Sequence, residues 1–251
     1  MKYKLATTLL LTLSLTADPT IFLQEFPFSH YTYAQEIIAL PPTEEIIQES
    51  IDQSYHEMMA HVPLFAHENP RTVLIIGGGN GGTLHEVLKH STVQTIVVVN
   101  PTSPQSEDQR VTTITEEPTR YVKKSNQTFD IILCDTTQEL FSSEFYEDCK
   151  DLLNKRGIFV NHSGITSLQQ DNLTSIAANR APHFKHTTFY LTATEHGQVA
   201  FGWASDKKYR VSESTLKERL TKIKEPMRYY TPEVHRASFA LPNFIITCIK
   251  A

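Results

Sequence analysis

The chain has 251 residues, 40% of them hydrophobic, and a formal net charge of −5. That is enough to fill the core of one α/β domain and leave a small appendage. The acidic balance and the lack of any long Lys/Arg run argue against nucleic acid or an anionic membrane as partner, and suit a cationic ligand. Three cysteines, Cys134, Cys149 and Cys248, are odd in number and lack CxxC spacing. They speak against a disulfide framework or zinc knuckle and read as small buried apolar residues.

Residues 1–17 begin with basic MKYK, continue with apolar LATTLLLTLSLTA and end on the small Ala17, the layout of a secretory signal. Leu15 at the −3 position breaks the cleavage rule, so a signal, an apolar strand and an extension all stay open. The segment is too short to span a bilayer. Residues 18–54 hold IFLQEF, HYTYAQEIIAL and EEIIQESI, broken by Pro27 and Pro41-Pro42. They predict a shortened, strand-rich N-terminal β-appendage, too small to fold alone.

Over residues 55–251 strands alternate with helical stretches. TVLIIG, TIVVV and FDIILCD are continuous apolar strands, and Leu84, Val87 and Leu88 mark one helical face between the first two. The segment Phe141 to Asn154 reads as an amphipathic helix ended by Gly157, with IFV as the strand beyond it. SLQQDNLTSIAANR predicts a further helix, QVAFGWAS a later strand, and Leu216, Leu220 and Ile223 the apolar face of a late helix. The alternation predicts a doubly wound, mostly parallel sheet with helices on both faces.

In IIGGGNGG a strand runs into Gly77, Gly78, Gly79, Asn80, Gly81 and Gly82 and then into a helix, so backbone and ligand can approach closely. The strict G-x-G-x-x-G spacing tied to pyrophosphate is absent, which tilts the reading from a dinucleotide to a nucleoside with a small appendage. His56-Glu57 followed by His61 is not a zinc-protease pair, because the histidines are five apart and face different ways. Cys134 lies in a strand with no evident base, which argues against a covalent nucleophile.

The stretch SYHEMMAHVPLFAHENPRTVLIIGGGNGGTLHEVLKH resembles the signature of the spermidine synthases, the polyamine aminopropyltransferases, and MRYYTPEVHRASFALPNF resembles the same family's late motif. With SGI and HGQVAFGWASDK between them, the likeness covers most of residues 45–244. It implies a Rossmann-like, methyltransferase-type domain behind a small β-domain, and aminopropyl transfer from decarboxylated S-adenosylmethionine to putrescine. The donor would be a co-substrate, with no metal and no resident cofactor. The resemblance further implies a cytoplasmic protein, exported only if residues 1–17 are a signal, and leaves homo-oligomerisation open.

Carried over by motif, the catalytic aspartate is Asp135, at the end of FDIILCD. The donor-binding set is Gly77, Gly78, Gly79, Asn80, Gly81, Gly82, Asn100 and Glu117, and the acceptor-binding set is Tyr55, His56, Gln138 and Tyr230. Three acids of the family pattern are amides here: Asn80 in the glycine turn, Asn100 after the second strand and Gln138 after Asp135. Glu117-Pro118 stands where Asp-Gly is expected beside the adenine, and the segment Pro101 to Arg110 is short. Thr192-Ala193-Thr194-Glu195 replaces the P-T-Y-P cover over the acceptor. His235 and Arg236 are expected to pin a C-terminal strand to the sheet.

A hydrogen bond to a charged group contributes roughly 1.5–3 kcal/mol, so three lost acids cost about 4 to 9 kcal/mol if independent. A micromolar ligand has only about 8 kcal/mol in total. The sequence therefore predicts an impaired aminopropyltransferase, with a non-catalytic homologue acting in binding or assembly, or another S-adenosylmethionine-type transferase, as alternatives.

Overall fold

The computed structural model describes residues 44–100, 106–136, 140–166, 170–194 and 197–250. The candidate signal, nearly all of the expected β-appendage, Gln138 and Glu195 lie outside the described residues. From Gln48 onward the described elements belong to one compact unit. Among them, no helix is long and apolar enough to cross a membrane.

The end of the expected appendage is helical, not extended: helix α1 runs over Glu44–Ala66, straight through the boundary expected at residue 55. Ile47, Ile51, Tyr55, Met58 and Val62 recur at helical spacing, and this period outweighs the β-branched composition. From Glu57 to Ala66 every residue is buried, the mark of a helix enclosed on all sides.

The sheet is built from β1 (Thr72–Gly77), β2 (Thr95–Val99), β3 (Val111–Ile114), β4 (Phe129–Asp135), β5 (Leu153–Ile165), β6 (His186–Thr194) and β7 (Gly197–Ser205). Its order is β3-β2-β1-β4-β5-β7-β6. The first five strands are parallel, and β7 runs antiparallel to both β5 and β6. This is the expected doubly wound, Rossmann-like sheet. Leu74, Ile76, Val97, Ile132 and Cys134 fill the core on one face, and Val73, Ile75, Val98, Ile131, Leu133 and Val160 that on the other. Burial on both faces explains why these strands read as continuous apolar runs. All three cysteines are buried and, among the described residues, none forms a disulfide, as expected.

The helices are α2 (Gly82–Leu88), α3 (Pro118–Lys124), α4 (Ser143–Asp151), α5 (Gln170–Arg180), α6 (Glu213–Leu220), α7 (Pro232–Ala237) and α8 (Asn243–Lys250). Two expectations need correction. Gly157 does not end α4: Ser142 caps its start, the helix stops at Asp151, and β5 begins at Leu153. Phe129 N–H donates to the Leu152 carbonyl at 2.8 Å, which draws the chain into the sheet early, and a register shift between Phe129 and Ile131 takes up the extra residues. His235 and Arg236 sit on α7, not on a strand, because Thr231 accepts from Val234 N–H and Pro232 opens the first turn.

Candidate functional site

The sheet order reverses at β1, which pairs with β2 on one side and β4 on the other. Ligands of open α/β sheets bind beyond the carboxyl ends of the strands at such a point. Here Gly77 ends β1 and Asp135 ends β4, paired in register. Gly77 has φ 87°, and a Cβ there would run into the Asp135 carbonyl. Gly78 has φ 66° and donates its N–H to that same carbonyl at 2.8 Å. The turn is thus glycine by steric need, and its backbone is clamped to the strand that carries the acid.

Both Asp135 oxygens have hydroxyl donors: Tyr55 Oη to Oδ1 at 2.7 Å and Thr83 Oγ1 to Oδ2 at 2.6 Å. Burial, and then the Asp135 charge, push the Tyr55 phenol well above its ordinary value, so Tyr55 donates to Asp135 and does not compete as a base. Because Thr83 spends its proton on Asp135, it accepts from His56 Nδ1–H at 3.1 Å. His56 Nε2 is then the acceptor for Asn80 Nδ2 at 3.0 Å, a tautomer assigned from the network. Asn80 Oδ1 in turn accepts from Gly82 N–H at 3.1 Å. One directed chain of hydrogen bonds therefore runs from Gly82 through Asn80, His56 and Thr83 to Asp135. Gly82 must lack a Cβ because the His56 ring occupies that space.

Tyr55, His56, Gly78, Gly79, Asn80 and Asp135 line one open cleft of ≈ 320 Å³. The structure thus brings together the expected catalytic acid, two acceptor-side residues and three of the turn. Asn100 lies at the back of the turn, 8% exposed, its Nδ2 donating to the Gly77 carbonyl at 3.3 Å. Glu117 is exposed at the start of α3 and its side chain makes no capping bond there. Tyr230 is not brought into the cleft: it is 2% exposed, stacked on Phe65, with its hydroxyl on His235 Nδ1 at 2.9 Å. Glu57 explains the placement, for its buried carboxylate accepts the N–H groups of Arg228, Tyr229 and Tyr230 at 2.8, 2.9 and 2.6 Å. The late tyrosine pair is thereby tied to α1.

One residue beside the cleft has no place in the motifs. His162 on β5 packs edge-on against Tyr55, ring centroids 5.5 Å apart, and Cys134 pairs with Asn161, which puts His162 beside Asp135 on the next strand. The signal was available: His162 follows the buried run IFVN at the carboxyl end of a parallel strand, where chemistry collects.

A glycine turn and an acid facing each other at the switch point define a Rossmann-like ligand-binding domain. The spermine/spermidine synthase domain model matches residues 52–101 and 100–214. A polyamine aminopropyltransferase from Klebsiella pneumoniae is 37% identical over 223 residues, 78% of each chain. Two solved spermidine synthases superpose with a TM-score of 0.71. The one from Thermotoga maritima is 33% identical over 80% of this chain and 76% of its own. The other, in complex with the transition state analogue AdoDATO, is 32% identical over 79% and 76%. The chain belongs to the spermine/spermidine synthase family.

Proposed function

We propose that this chain transfers an aminopropyl group from decarboxylated S-adenosylmethionine to a diamine of the putrescine class, with a weakened hold on the donor. The observation that carries the reading is Asp135, fixed by two hydroxyl donors at the mouth of a cleft beside a glycine turn. The donor's nucleoside would lie over Gly77 to Gly82 on the β1 and β2 side. The acceptor nitrogen would then meet it from the β4 and β5 side. A free amine attacks the carbon beside the sulfonium, the new N–C bond forms as C–S breaks, and the sulfur leaves as a neutral thioether. An aliphatic amine arrives as ammonium at neutral pH, so one proton must first be drawn off, with Asp135 holding the nitrogen while this happens.

The weakened hold follows from Asn80. Its carbonyl and amide ends are already engaged by Gly82 and His56, and it brings no charge to the donor's ammonium. That same engagement favours the second reading, a non-catalytic homologue. The test is to incubate the full chain with decarboxylated S-adenosylmethionine and putrescine and quantify methylthioadenosine. Release that needs both substrates supports transfer, and none from folded protein supports the second reading.

A further inference from the structure

A second cleft, basic where the first is acidic, lies toward the other end of the sheet. Helix α1 carries Tyr55 at the Asp135 cleft and, about 16 Å further along its axis, Ala66 at this one. Ser205, which closes β7, is level with Ile158 early in β5, whereas Asp135 closes β4. The cleft holds ≈ 650 Å³ between Trp203, Phe239, Thr187 and Thr188 and the run from Lys208 to Val211 that leads from β7 to α6. The same run lines a neighbouring cleft of ≈ 590 Å³. Lys185, Lys208, Arg210 and Arg236 line the first cleft and no carboxylate does, in a chain whose net charge is −5.

The carboxylates nearby already have cations: Glu68 pairs with Arg156 and Lys207, Asp206 with Lys150, and Glu213 with Lys217 and Arg236. Lys208 and Arg210 are exposed, and neither side chain has an ion pair or hydrogen bond to a described residue. None of the backbone N–H groups from Lys208 to Val211 donates to a described residue either. His235, 5% exposed, lines the same cleft, with Nδ1 on the Tyr230 hydroxyl at 2.9 Å and no described partner for Nε2. With the Tyr230 hydroxyl donating to Nδ1, Nε2 carries the proton and is one more donor, a tautomer assigned from the network. Unpaired cations beside a run of unused N–H groups suit phosphate oxygens, and the Trp203 and Phe239 rings, 5.7 Å apart between centroids, suit a flat apolar body. The volume is that of a small-molecule pocket. We propose that this cleft binds a nucleoside phosphate, its phosphates on Lys208, Arg210 and the N–H groups of their run, its base against Trp203 and Phe239. The site does not depend on the aminopropyl-transfer reading, and its ligand is opposite in charge to a polyamine.

The experiment titrates the full chain with ADP and with pyrophosphate by calorimetry, and follows Trp203, the chain's single tryptophan, by fluorescence. ADP should bind saturably, more weakly as salt rises, and change the Trp203 emission, with pyrophosphate competing several-fold more weakly. The double variant Lys208→Ala, Arg210→Ala should lose roughly tenfold or more in ADP affinity with Tm unchanged. Saturating methylthioadenosine, added to fill the Asp135 cleft, should leave the ADP affinity as it was. No heat from folded protein at millimolar ADP, an unchanged affinity in the double variant, or displacement of ADP by methylthioadenosine would each overturn the assignment and leave the transfer reading standing. Pyrophosphate that binds as tightly as ADP would overturn the place given to the base.

Discussion

Tyr55 and Asp135 are 80 residues apart in the chain and meet at 2.7 Å, phenol to carboxylate. The contact joins α1 to the end of β4 and fixes the rotamer of the acid that faces the glycine turn. Tyr55→Phe keeps the ring packing against Phe201 and His162 but removes the donor. We expect transfer to fall roughly ten- to a hundredfold, the value of a hydrogen bond to a charged group, with melting temperature nearly unchanged. Steady-state kinetics with a thermal melt checks both halves, and an unaltered rate would mean that Asp135 does not depend on Tyr55.

Asn80 sits in a directed chain of hydrogen bonds, so restoring an acid there has two consequences. Asn80→Asp supplies a charge for the donor's ammonium, and the gain from a neutral to a charge-assisted hydrogen bond is about 1 kcal/mol. Decarboxylated S-adenosylmethionine should bind about fivefold more tightly by calorimetry. The new carboxylate also replaces an N–H donor to His56 Nε2 by an acceptor, so His56 must carry a proton on both nitrogens to keep Thr83 in place. A second His56 N–H signal by NMR would show this. Asn100→Glu should not add to the gain, because Asn100 is buried and its amide donates to the Gly77 carbonyl, an interaction a carboxylate cannot make.

Acid should destabilise the fold through buried neutral histidines. Burial lowers His235 to about 4 from an ordinary 6.5, and lowers His61 and His90 in the same direction. The unfolded chain therefore binds protons below pH 6.5 that the folded chain refuses. Stability is complete above that pH and declines toward pH 4, by about 3 kcal/mol for His235 alone. Urea unfolding at pH 7.5 and pH 5 should show the loss. His235→Asn, which keeps an acceptor for the Tyr230 hydroxyl, should flatten the dependence. An equal loss in the variant would place the acid sensitivity elsewhere.

The parts of this fold that the sequence makes legible are those governed by one simple rule. Val73 to Ile76 and Ile131 to Cys134 are apolar throughout because both faces of a central parallel strand are covered. Strand β6 is invisible in HTTFYLTAT because it is an edge strand rich in threonine, and β3 and α3 are too short and polar to announce themselves. Gly157 looks like a helix terminator, yet the pull of Phe129 on Leu152 starts β5 before it. Within the site, Asp135 and the glycine turn are local motifs and could be read directly. Tyr230 lies outside the cleft because Glu57, on another helix, decides where the tyrosine pair goes. His162 was missed because only the pairing of β4 with β5 reveals its neighbour.

The central claim is that Asp135 handles the acceptor nitrogen during transfer, and one comparison tests it most directly. Asp135→Asn preserves size and accepts one hydrogen bond but carries neither charge nor basicity. With putrescine and donor both saturating, methylthioadenosine release by this variant should fall on the order of a hundred- to ten-thousandfold, while calorimetry shows donor binding within a few-fold of the parent. A variant that still turns over within tenfold of an active parent would contradict the account.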